Sequence, residues 1–260
     1  MNPLREASTR AERLSGATET GDLVERLGAA LDHVTAGGAA PAADARAWRR
    51  VGRYSRLGEF VKDATDRLLA AIGLLLVSPV LLAVAAAVKL DSPGPAFFRQ
   101  TRIGRGGRPF TFWKFRGMYV DARERFPELY DYTYSADEVQ NLRFHPGEDP
   151  RVTRVGHFIR RTSLDELPNL VNVVLGDMSL VGPRPEIPEL IPYYGRAAKT
   201  VLSVKPGITS LAKLIGRDNI TFQETLDLDL RYIRERSLRT DFGILFGTVV
   251  MVTTGRNVGH

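Results

Sequence analysis

The sequence predicts a mainly α-helical chain with a small β-hairpin, held on one face of a membrane. In that reading it is a monotopic protein with a Pro-bent re-entrant helix and amphipathic interfacial helices. Three observations carry the expectation. The uncharged run Leu68–Val88 holds Pro79 near its middle and has Arg and Lys on both sides. Phe97–Met118 alternates apolar and polar residues around Gly104 and Gly107. Segments such as Thr225–Arg236 place apolar residues at helical spacing among charges.

Composition narrows the partners. The 260 residues carry a net charge of +6, which favours an anionic partner: nucleic acid, lipid headgroups or a phosphorylated substrate. There is no cysteine, so disulfides, thiolate catalysis and thiolate metal sites are excluded. His33, His145, His157 and His260 show no zinc spacing.

Taken in order, residues 1–59 form a polar extension. Leu23, Val24, Leu27, Leu31 and Val34 suggest a short amphipathic helix, and a Gly/Ala/Pro linker follows at 37–43. No signal peptide is visible. The membrane segment is placed at 60–92. A straight helix over Leu68–Val88 would rise roughly 32 Å, close to the about 30 Å of a hydrocarbon core. Pro79 removes one backbone hydrogen bond and pushes on the preceding turn, so a bend is expected there. Ser78 can bond back to a freed carbonyl.

The flanks bear on topology. Arg49, Arg50, Arg53, Arg56, Lys62 and Arg67 precede the run, and Lys89, Arg99, Arg102, Arg105, Arg108, Lys114 and Arg116 follow it. Positive charge marks the cytoplasmic side, and a segment that enters and leaves the same leaflet keeps both clusters there. A straight spanning helix and a buried core helix are the competing readings.

The remainder, 93–260, is expected to form one cytoplasmic catalytic domain. Within it, 119–150 reads as helix then loop, and Phe242–Val252 as a core or interfacial helix too short to span. No nucleotide-binding glycine fingerprint occurs, since the Gly104/Gly107 spacing fits neither the P-loop nor the dinucleotide motif.

Two motifs could carry chemistry. Asp165-Glu166 follows Arg160-Arg161 and opens an expected helix, unlike the acidic pairs Asp137-Glu138 and Glu148-Asp149. Motif shape by itself favours a helix cap: Ser163 and Glu166 fit a capping box, and Pro168 in the first turn would instead make Asp165 the cap. Either register puts both carboxylates at the positive end of a helix dipole, which also suits an anionic nucleophile. Arg184 lies between Pro183 and Pro185, so its backbone is fixed from both sides. Such a guanidinium suits bidentate phosphate binding, and a solvated surface turn is the plain alternative.

Together these segments resemble the bacterial sugar transferase family, the monotopic polyprenyl-phosphate glycosyl-1-phosphate transferases, over about 60–257. The resemblance rests on Asp63–Arg67 with Ser78-Pro79, on Gly94–Gly104 with Gly107, and on Lys114–Met118. It continues through Asp149–Gly156, Arg160–Pro168, Gly176–Glu186, Pro206–Thr209 and Gly216-Arg217. It implies transfer of a sugar-1-phosphate from a UDP-sugar to polyprenyl (undecaprenyl) phosphate at the cytoplasmic face of the bacterial inner membrane, with Mg2+ as cofactor. Asp165 is implied as the nucleophile that expels UMP and becomes a phosphosugar-enzyme. Glu166 is implied to bind the metal with Asp165 or to orient it. Lys114, Arg116, Arg160, Arg161 and Arg184 are candidates for substrate phosphate, Arg184 first. Membrane lipids are expected as partners, nucleic acid is not, and homodimer formation is left open.

Two departures stand out. After Pro206–Thr209 the family usually continues with Gly, then an aromatic residue or Gln followed by Val; here it is Ser210-Leu-Ala-Lys213-Leu. Many relatives also carry four extra N-terminal spanning helices, so this chain resembles the short form with an extension. A catalytically silent membrane adaptor of the same fold is the alternative function; it keeps no advantage while Asp165 and Arg184 are both present.

Overall fold

Ser55 starts the longest element. Its hydroxyl accepts the Gly58 N–H, and helix α1 runs from Arg56 to Asp91. In the computed structural model, which describes residues 54–143, 149–216 and 220–254, α1 continues through Pro79 without a break. The Ser78 hydroxyl donates to the Leu75 carbonyl at 2.8 Å, the carbonyl that loses its partner to Pro79. Only 11% of the most apolar 18-residue stretch of α1 is buried, so it is not a core helix. By length and composition it is the one helix among the described residues able to cross a membrane.

The hairpin follows. Strands β1 (Phe97–Ile103) and β2 (Pro109–Phe115) pair antiparallel from Phe97↔Phe115 to Ile103↔Pro109, joined by a turn at Arg105–Gly107 with Gly106 at φ 72°. Next come α2 (Ala122–Arg125), α3 (Ala136–Gln140), α4 (Arg154–Arg161), a 3-10 segment Leu164–Asn169 and α5 (Leu170–Leu175). The expected helix within 119–150 is thus two short pieces, α2 and α3, with a 3-10 turn at Pro127–Tyr130 between them. Strand β3 (Ser179–Val181) pairs in parallel with β4 (Gly207–Thr209), with α6 (Ala198–Val201) between them in sequence. Then come α7 (Leu211–Gly216), α8 (Phe222–Glu235) and α9 (Leu238–Thr254). The amphipathic reading of α8 holds: Thr221 and Glu224 close a capping box, and Phe222, Leu226, Leu230 and Ile233 are buried.

The main core joins Val173, Met178, Val181, Tyr194, Ala198, Phe222, Leu230, Ile233 and Ile244. A smaller cluster of Val84, Val88, Phe115 and Ile159 packs the end of α1 onto β2 and α4. The start of α1 is held by charge instead. Lys62 lies 3.0 Å from Asp66 and 2.8 Å from Asp241 of α9, all three nearly solvent-free. Ser179 donates to Asp66, and Tyr232 donates to Asp241 at 2.8 Å. These contacts fix α1 to β3, α8 and α9, hence to the frame that carries the site. On α9, Phe242, Phe246, Val249 and Val252 face outward while Ile244, Gly247 and Met251 pack inward, so the short apolar segment is part core and part exposed apolar face. The helix and linker expected at 23–43 lie outside the described residues, as do His145, Glu148 and Arg217.

Candidate active site

The acidic pair is presented by a turn, not a capped helix. Ser163 adopts φ 57°, the left-handed region that non-glycine residues rarely occupy, and turns the chain from α4 into the 3-10 segment Leu164–Asn169. The Ser163 side chain makes no capping bond, and Glu166 does not reach back. The capping box is therefore absent: a left-handed Ser163 does not have the extended backbone that an N-cap uses. Asp165 and Glu166 instead enter a pocket of about 150 Å³.

Cations converge there from separate elements. Lys114 of β2 lies 3.3 Å from Glu166 Oε1 and 3.7 Å from Asp165 Oδ2. Lys213 of α7 pairs with Glu166 Oε2. Arg160, Arg161, Arg184 and Arg102 complete six cationic side chains against two carboxylates in the lining. Arg160 also lies 3.7 Å from Asp149.

The two carboxylates titrate differently. Burial raises Asp165 above the ordinary range; Lys114 opposes it, and the adjacent Glu166 charge adds to the rise. Burial also works against ionised Glu166, but Lys213, Lys114 and Arg184 outweigh it and hold that carboxyl well below the usual range. Burial in turn lowers the Lys114 ammonium, while Glu166 and Asp165 support its charge. Glu166 is thus the fixed anion, and Asp165 the more basic oxygen, better suited to attack an electrophile.

Arg184 is held as the two prolines suggested, with further supports. Its N–H donates to Asp229 Oδ2 at 3.4 Å, and the next carbonyl, Pro185 O, accepts from Arg102 at 3.1 Å. The Gly207 N–H donates to Pro183 O at 2.8 Å, where the 182–183 and 206–207 backbones nearly touch. A Cβ on Gly207 would come within 2.1 Å of Gly182 N, so only glycine fits that crossing.

Arg116 needs correcting. Its guanidinium donates to Pro93 O, to Ser92 O at 2.7 Å and to Val88 O at 3.3 Å, and it does not line the pocket. The ladder ends at Phe115, so alternation no longer aims residue 116 with Lys114. Carbonyls in the last turn of α1 and just past its end capture it instead.

Four contributors went unseen in the sequence: Lys213, Arg102, Glu186 and Asp229. Lys213 sits in the stretch that departs from the family pattern, the one signal that could have marked it. Arg102 is one of many hairpin arginines. Glu186 and Asp229, both buried, look in sequence like ordinary surface charges.

A profile of the family described as bacterial sugar transferase matches residues 57–255. The chain is 43% identical over 204 residues to the galactosyl transferase CpsE of Streptococcus agalactiae, covering 78% of this chain and 44% of that protein. It is 43% identical over 203 residues to the UDP-glucose:undecaprenyl-phosphate glucose-1-phosphate transferase of Escherichia coli, covering 75% and 40%. It is 36% identical over 205 residues to the exopolysaccharide production protein ExoY of Rhizobium meliloti, covering 79% and 91%. The chain spans less than half the length of the first two and nearly all of the third. With the family profile matched over about three quarters of its length, the chain belongs to the bacterial sugar transferase family.

Proposed function

We propose that this chain is a polyprenyl-phosphate glycosyl-1-phosphate transferase, moving a sugar-1-phosphate from a UDP-sugar to undecaprenyl phosphate. The observation that carries the reading is the buried Asp165–Glu166 pair in a cation-rich pocket on the frame that holds an exposed apolar helix. The names of relatives agree, among them the undecaprenyl-phosphate galactose phosphotransferase of Salmonella typhimurium, 37% identical over 197 residues.

In this mechanism a carboxylate oxygen of Asp165 attacks the sugar-bearing phosphorus. The bond from that phosphorus to the bridging oxygen breaks, and UMP leaves with the electron pair. A phosphate oxygen of the polyprenyl acceptor then attacks the same phosphorus, and the Asp165–phosphorus bond breaks to restore the carboxylate. Two displacements let one site serve a soluble donor and a lipid acceptor in turn. Lys114, Arg184, Arg160 and Arg161 hold the phosphate oxygens against the growing charge.

Magnesium fits the donor set. No cluster of three acidic or His residues occurs among the described residues, but two adjacent carboxylates beside a phosphate pocket match the sites this ion shares with substrate phosphates. Asp165 and Glu166 would hold it, and it would supply charge neutralisation at the phosphoryl group.

At the membrane, α1 is read as re-entrant and bent at Pro79, with both ends cytoplasmic. The Arg and Lys clusters on its two flanks and the Ser78–Leu75 bond support that path. The outward face of α9 would lie in the interface. In a chain without cysteine, Ser55→Cys and Ser237→Cys report topology without background. Both should resist an impermeant thiol reagent in intact cells, and labelling of Ser55→Cys would establish a spanning helix.

The deciding experiment is Asp165→Asn. Turnover should fall on the order of 10⁴-fold or more with folding intact, as expected when a covalent nucleophile is lost. Incubation with donor alone should give a phosphosugar adduct by intact-protein mass spectrometry on wild type only. A variant with near-normal rate sinks the proposal.

A further inference from the structure

Two buried asparagines stand three residues apart, and the fold treats them differently. Asn172 is stitched to β2: its Oδ1 accepts the Trp113 N–H at 3.3 Å, and its Nδ2 donates to Thr111 O at 2.7 Å. Asn169 is 1% exposed, yet neither its Nδ2 nor its Oδ1 has a hydrogen-bond partner among the described residues. Arg102, Arg116, Glu186 and Asp229 also hold one unpartnered atom, but each is paired through another atom of the same group. The Ser92 hydroxyl is unpartnered too, but Ser92 does not line the pocket. Burying a whole carboxamide without partners is costly, and native folds satisfy such groups, so one left bare in a pocket wall points to a ligand.

Asn169 lines the pocket together with Asp165 and Glu166. It closes the 3-10 segment Leu164–Asn169. Three residues make one turn of such a helix, so Glu166 and Asn169 share a face. A carboxamide needs an acceptor for its NH2 and a donor for its oxygen. An ionised phosphate offers acceptors alone and would leave Oδ1 bare. Sugar hydroxyls both donate and accept. The imide edge of uracil does so as well, but the spacing favours the sugar. From 165 to 169 the segment rises about 8 Å, at about 2.0 Å per residue. That matches one hexose ring beyond the phosphorus that Asp165 attacks, whereas uracil lies past a second phosphate and a ribose. We propose that Asn169 is a sugar-binding residue, its amide paired with a hydroxyl donor and a hydroxyl acceptor on the transferred hexose. This role deepens the transferase reading and rests on it for the identity of the donor.

The test uses the full-length, detergent-purified protein. Without ligand, Asn169→Leu, of similar volume and with no polar group to bury, should melt about 2–4 °C higher or more. Asn169→Ala should lower kcat/KM about 10- to 100-fold for the fastest donor among UDP-glucose, UDP-galactose and their 2-acetamido counterparts. Its dissociation constant for UDP should stay within about twofold of wild type, since UDP carries no hexose. One monodeoxy analogue of that donor should be slower with wild type by a similar factor, and lose less than about threefold more in Asn169→Ala. A lower melting point in both variants marks a structural amide and overturns the proposal. Unchanged kcat/KM in either folded variant leaves the amide to water and overturns it as well. Equal losses for UDP and the donor assign Asn169 to the nucleotide, and full additivity with every deoxy analogue removes the hydroxyl contact. The phosphosugar adduct separates the two ideas. An adduct whose formation is indifferent to Asn169 removes the sugar role alone, whereas no adduct from any of these donors removes the transferase reading and the sugar role with it.

Discussion

Helix α1 exposes Leu68, Leu75, Leu76 and Leu82 and buries Lys62 and Asp66, whereas the pocket gathers six cations and two carboxylates within the fold. Both regions reverse the usual sorting of apolar residues inward and charge outward, and they do so with different chemistry. Along α1 the buried charges are matched one to another, Lys62 against Asp66 and Asp241, so the inside is satisfied and the outside seeks an apolar phase. In the pocket six cations and two carboxylates line the wall, with Glu186 beside Arg102 and Asp149 beside Arg160 behind it, so the lining itself presents a basic face.

The largest way to break this comparison is to give α1 an ordinary outer face. Leu75→Lys with Leu76→Lys places two ammonium groups near mid-run, at about 2.5–3.5 kcal/mol each on insertion scales. The double variant should leave the membrane fraction and appear in the supernatant, measured by sedimentation and immunoblot. Unchanged membrane recovery would show that α1 does not hold the protein there.

Arg184→Lys addresses the other side, keeping the charge and losing the fork. Turnover should drop about a hundredfold, the scale of losing one aligned donor to developing phosphoryl charge. Wild-type kinetics in that variant would return Arg184 to a surface turn.

Asp229 supplies a pH test of the support beneath Arg184. Burial raises its carboxyl well above the usual range; the Arg184 N–H opposes this less strongly, and Glu186 adds to it. Its stability contribution is therefore full below the unfolded value near about 3.9 and is lost as pH rises toward the native value. Asp229→Asn has no proton to lose and can still accept the Arg184 N–H. Its melting temperature should gain on wild type as pH goes from 5 to 9, and a constant difference would count against a protonated Asp229. The smallest expected effect is at Ser163. Glycine would remove left-handed strain of about 1–2 kcal/mol and return about 0.5–1 kcal/mol in chain entropy. Ser163→Gly should thus melt slightly higher, and a lower melting point would mean that its side chain matters to the turn.

Much of the fold was legible because its signals are local. The uncharged run, the alternating hairpin and the helical spacing of α8 each depend on residues a few positions apart. The same holds for the rigid Pro183–Pro185 turn. The capping reading at Ser163 failed for a reason no window of sequence contains: Lys114 and Lys213 arrive from β2 and α7 and draw Glu166 away from the backbone. Arg116 failed likewise, since the carbonyls that take it lie in and just past the last turn of α1.

The sequence by itself determined where the apolar helix lies, which backbone turns are stiff, and that Asp165, Glu166 and Arg184 stand apart from the other charges. Only the tertiary structure decided which charges meet: Lys213 with Glu166, Asp229 beneath Arg184, Arg116 on a helix end. The reason is physical. Backbone preferences act over one or two turns of chain, whereas a charge's partner and its titration depend on whatever distant segment packs within a few ångströms and excludes water.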